Sequence, residues 1–165
     1  MNARVLFLVL AAALAASGCR SLREHRTERI AHAVERGDTA VYLTPFGAPT
    51  RPFSPAVRVG NLIFLSGQIG TDNASANGST LAAGGIEPET RATMDNIKAT
   101  LAAVGSSMDK VVKCTVMMAD MKEWDRMNAI YRTYFSPGRL PARSALGANG
   151  LALGARVEIE CIATA

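Results

Sequence analysis

The chain has 165 residues, of which 48% are hydrophobic and 19% charged, with a formal net charge of +4. That leaves room for one domain with a real core and excludes a disordered polyelectrolyte. Only 5% of the residues are aromatic and no basic stripe interleaves with them, so no nucleic-acid partner is expected.

The chain opens like an export leader. Asn2 to Arg4 make a short basic start, Val5 to Ala16 an uncharged apolar run, and small residues then lead to Cys19. The run is too short to span a bilayer but suits a signal core, so residues 1–18 are expected to be a signal peptide. "AASGC" resembles the lipobox of bacterial lipoproteins, with Ala16 where that motif prefers Leu. The resemblance implies that Cys19 becomes a lipidated N-terminus and anchors an exported, periplasmic protein to a membrane without spanning it. Secretion with cleavage near Ala16 is the alternative.

Residues 19–39 carry five Arg, three Glu and one Asp around a thin apolar stripe of Leu22, Ile30 and Val34, as a solvated tether does. His25 and His32 lie here, seven apart and without a ligand cluster, so no metal site is expected.

From residue 40 to 165 the pattern is that of a folded α+β domain. "AVYLT" predicts a strand, and Pro45, Gly47, Pro49 and Pro52 then interrupt the chain. "AVRVGNLIFLSG" predicts two strands turned at Gly60-Asn61. Thr71 to Gly85 is rich in Gly, Asn, Ser and Ala, has no period, and reads as a loop. Met94, Ile97, Leu101 and Val104 predict an amphipathic helix over Glu87 to Val104, ended by Gly105.

"KVVKCTVMMAD" is a strand. Trp124, Met127, Tyr131 and Tyr134 mark a second helix stopped by Pro137-Gly138, and this stripe reads as core. Two last strands are expected over Ala142 to Gly147 and Arg156 to Ala163. Cys114 and Cys161 each sit in an apolar strand, where a thiol serves as a small hydrophobe. A disulfide between them in an oxidising compartment is the alternative. Two helices cover only one face of such a sheet, whereas "NLIFLS" and "CTVMM" are apolar at nearly every position, as in strands buried on both faces. The bare face therefore predicts a closed homo-oligomer with clefts between its subunits.

Five motifs, "NLIFLSGQIG", "MDNIKATLAAVG", "NAIYRTYF", "LPARSALG" and "VEIECIA", occur in order over residues 53–165 and resemble those of the RidA/YjgF family. The resemblance implies a chorismate-mutase-like mixed sheet with two helices on one face. It also implies a homotrimer and cofactor-free hydrolysis of enamine and imine acids such as 2-iminopropionate to 2-keto acids and ammonia. By the same resemblance Arg143 binds the substrate carboxylate and Glu158 positions or activates water. Ser66, Gly67 and Asn128 line the cleft, and so do Phe53, where many members have Tyr, and Ala145, where Cys is common.

The residue types suit those roles. A guanidinium grips a carboxylate with two parallel hydrogen bonds, which an ammonium cannot match, and a carboxylate can take a proton from water. Glu158 and Glu160 share a strand face, so either could instead be solvated or pair with Arg156. A non-catalytic trimer that binds small carboxylates or envelope partners is the alternative function.

Overall fold

A computed structural model describes residues 39–47, 51–71 and 80–165. The leader, Cys19, the tether up to residue 38 and residues 72–79 of the expected loop lie outside this range. Strands β1 (Ala40–Leu43), β2 (Ala56–Val59), β3 (Leu62–Leu65) and β4 (Gln68–Ile69) precede helix α1 (Ile86–Ala103). Strand β5 (Val111–Met118), helix α2 (Trp124–Tyr131), β6 (Ala142–Gly147) and β7 (Val157–Thr164) follow. One mixed sheet runs β1-β2-β3-β7-β5-β6, with β4 also paired to β7. Among the described strands only β5 and β6 are parallel; α2 forms the crossover between them, as a parallel pair requires.

The β2–β3 hairpin turns where expected, with Gly60 at φ 56°, a conformation that costs glycine nothing. Helix α1 presents Met94, Ile97 and Leu101, all fully buried, and each such side chain contributes about 1.5–3 kcal/mol when removed from water. Thr90, Thr93, Asn96 and Thr100 are buried on the same helix. Their polar groups are satisfied, because each threonine hydroxyl donates to the carbonyl four residues back at 2.6–2.9 Å. Asn96 Nδ2 donates to the carbonyls of Ile69 (3.0 Å) and Thr71 (3.2 Å).

The bond to Ile69 and the pairing with β7 hold β4, the one strand not expected from the pattern. At two residues it is too short to show a period. Gly70 is equally constrained, since a methyl group there would collide with the Glu89 backbone oxygen. Glu89 itself is buried at 3% exposure, and its Oε1 accepts from the backbone N–H of Arg156 at 2.6 Å and of Val157 at 3.4 Å, fixing the entry to β7.

Burial alternates along the central strands. Val157, Ile159, Cys161 and Ala163 face the helices together with Cys114, Val116 and Met118. The opposite face is open in the single chain and apolar along β1 and β3: Tyr42 is 69% exposed, Phe64 41% and Leu62 40%. No described element covers it, so the expected bare face is present. The cysteines differ from the expectation. Cys114 lies directly opposite Cys161 in the β5–β7 register, and their sulfurs are bonded at 2.00 Å. Register, which a sequence separation of 47 conceals, makes a cross-link of two residues read as hydrophobes. Closing a loop of that size restricts the unfolded chain by up to about 4 kcal/mol.

Candidate active site

Arg143 belongs to the edge strand β6, where it registers beside Cys114 and so points to the helix-covered side of the sheet. Nη1 donates to Asn128 Oδ1 at 2.6 Å. The guanidinium carbon lies 4.9 Å from the centre of the Trp124 ring and 4.8 Å from that of Tyr131. All three partners come from α2, and all are uncharged. Burial pushes the Tyr131 phenol up to about 12, against the opposing pull of Arg143, so the ring stays neutral beside the cation. Among the described residues no carboxylate forms an ion pair with Arg143. The half-buried guanidinium borders a cavity of about 540 Å³, whose lining includes Asp125, Asn128, Tyr131, Arg132 and Leu140.

A second group of site candidates assembles on the opposite face. Glu158 registers with Ile69 and Met117, between the helix-facing Val157 and Ile159, so its half-buried side chain points away from the helices. It packs onto Gly67, where an added methyl would collide with Glu158 Oε1; glycine is needed there for close approach. Ser66 donates its hydroxyl to the Ser54 carbonyl at 2.7 Å and its N–H to that of Pro55 at 3.1 Å. These bonds draw the segment carrying the 46%-exposed Phe53 toward Ser66 and Gly67. Arg156 pairs with Glu123 at 3.0 Å, not with Glu158 or Glu160, and Glu160 is exposed.

The chain matches the endoribonuclease L-PSP family over residues 45–165. It belongs to this family, also called RidA/YjgF. A mouse RidA/YjgF relative named 2-iminobutanoate/2-iminopropanoate deaminase is 44% identical over 112 residues, covering 68% of this chain and 80% of its own. A RutC family protein from Pyrococcus horikoshii is 38% identical over 115 residues, covering 70% and 88%. The crystal structure of RidA from the Antarctic bacterium Psychrobacter superposes with a TM-score of 0.66 at 32% identity, covering 75% of this chain and 98% of that one.

Within this RidA/YjgF fold the expected site residues fall into two sets. Arg143 and Asn128 are in contact, and Ser66, Gly67 and Glu158 adjoin one another, with Phe53 on the segment that Ser66 ties down. Ala145 is in neither set. It pairs with Val116 and packs against the core, so replacing a thiol with a methyl at this position alters packing beneath β6 rather than the cavity lining. Trp124 and Tyr131 were expected as core, and Tyr131 is part of it with Trp124 packed against it; their contact with Arg143 was not expected. Their signal in the sequence was their spacing from Asn128, which puts all three on one helix face.

Proposed function

We propose that the protein hydrolyses small imine and enamine acids to 2-keto acids and ammonia, with no cofactor. The observation that supports this best is the half-buried Arg143, held among the described residues by an amide and two rings alone and bordering a cavity. A cation with only neutral partners in such a place is a receptor for an anion, and a planar carboxylate fits its fork. With the carboxylate on Arg143, water adds to the C=N carbon as Glu158 accepts a proton from it. Passing that proton to the nitrogen gives a carbinolamine; its hydroxyl proton then moves to the nitrogen as the C–N bond breaks and the C=O bond forms, releasing ammonia and leaving the keto acid.

In one chain Arg143 and Glu158 face opposite sides of the sheet, so the reaction requires a second copy. Glu158 lies on the bare face, whose apolar β1–β3 part association would bury, and Arg143 lies at the sheet edge. The proposed assembly is a homotrimer with each site between neighbours, Arg143 from one and Glu158 from the next.

The purified protein should raise keto-acid release from 2-iminobutanoate, generated in place by an amino-acid oxidase, at least about ten-fold over buffer. An imine lacking the carboxylate should not respond. Binding of 2-oxobutanoate without any acceleration would instead identify a carboxylate-binding module.

We also propose that the protein works outside the cytoplasm, in the periplasm, anchored through a lipid on Cys19. The Cys114–Cys161 disulfide supports an oxidising compartment, and the apolar leader ending at Cys19 supports export. Wild-type protein should fractionate with membranes and Cys19→Ala should be soluble; a soluble wild type rejects the anchor.

A further inference from the structure

One face of α2 does more than pack. Trp124, Asn128 and Tyr131 stand at i, i+4 and i+7, and each meets the Arg143 guanidinium. An unrestrained arginine has several rotors and samples many orientations. Here the two aromatic faces attract the cation by their quadrupoles, while Asn128 fixes Nη1. Nε and Nη2, which share one edge of the guanidinium, have no partner among the described residues. That edge can hold both oxygens of a carboxylate.

We infer that Trp124 is a positioning residue: its ring, with that of Tyr131, holds Arg143 so that the Nε/Nη2 edge is presented to an incoming organic acid. Trp124 does not itself touch the acid. It is only half-buried, so its shape matters less to the core than that of the fully buried Met127 on the same helix. The inference rests on the reading of Arg143 as an acid receptor.

The test uses the whole assembled protein, with 2-oxobutanoate as the probe. Trp124 is the sole tryptophan of the chain, so its emission reports on the guanidinium beside it. Saturable quenching or shifting of that emission by 2-oxobutanoate is expected in the wild type and should vanish in Arg143→Met. Calorimetry should show Trp124→Leu binding the acid roughly five-fold more weakly, and Trp124→Phe within about two-fold of wild type, because Leu keeps apolar bulk while only Phe keeps a π face. Where turnover occurs, KM for the imine should follow the same order, with kcat changed less than about two-fold.

Equal weakening in the Leu and Phe variants would overturn the inference, since indole shape and not the aromatic face would then matter. Wild-type affinity in Trp124→Leu would overturn it as well. Acid binding without turnover by the wild type would remove the deaminase reading and leave the calorimetric comparison to decide the role of Trp124. No binding of the acid by the wild type would end both.

Discussion

Arg143→Ala is expected to lower kcat/KM for 2-iminobutanoate by about 10²- to 10⁴-fold, from the loss of two charge-assisted hydrogen bonds at roughly 1.5–3 kcal/mol each. Folding should change little. The side chain is only half-buried, its partners are neutral, and its removal leaves Asn128 facing a cavity that admits water. Arg143→Lys should recover only a small part of the loss. A lysine keeps the charge, but its ammonium cannot bond Asn128 and both carboxylate oxygens in one plane. Steady-state kinetics with thermal unfolding of the same preparations would check both variants. Wild-type kcat/KM in Arg143→Ala would remove the acid receptor from the mechanism.

Most of the fold was legible because its signals are local. Gly60-Asn61 between two short apolar runs specifies a hairpin, and Met94, Ile97 and Leu101 specify the buried stripe of a helix. What escaped depends on partners distant in sequence. Strand β4 has two residues and exists through its pairing with β7, braced by a bond from Asn96 to the Ile69 carbonyl, neither of which any periodicity announces. The disulfide requires knowing that β5 and β7 are neighbours and that Cys114 registers with Cys161.

The site was readable residue by residue but not as an arrangement. Glu158 and Glu160 could be placed on one face by their two-residue spacing, yet the face that Arg143 shares with Cys114 appears only once β6 is paired to β5. Trp124 and Tyr131 were read as core because an aromatic stripe on a helix has the same spacing whether it meets a leucine or a guanidinium. The difference lies in what the sheet beneath offers, and β6 offers Arg143.

Glu158→Gln is expected to lower kcat by about 10²- to 10⁴-fold while leaving the affinity for 2-oxobutanoate near that of the wild type, because the amide keeps the shape of the side chain but cannot accept the water's proton. Close packing against Gly67 makes this near-isosteric change a cleaner probe than Ala, which would open space beside the hairpin. Opposite orientation of the two groups in one chain gives a sharper consequence. Arg143→Ala and Glu158→Gln should each be nearly inactive alone, yet an equal mixture refolded together should recover about a quarter of wild-type activity, the fraction of interfaces that join the intact Arg143 of one chain to the intact Glu158 of its neighbour. If both groups served one site from the same chain, every subunit in the mixture would lack one of them and no activity would return. Recovery thus decides between a site shared by two copies and a site within one, independently of the size of either single effect.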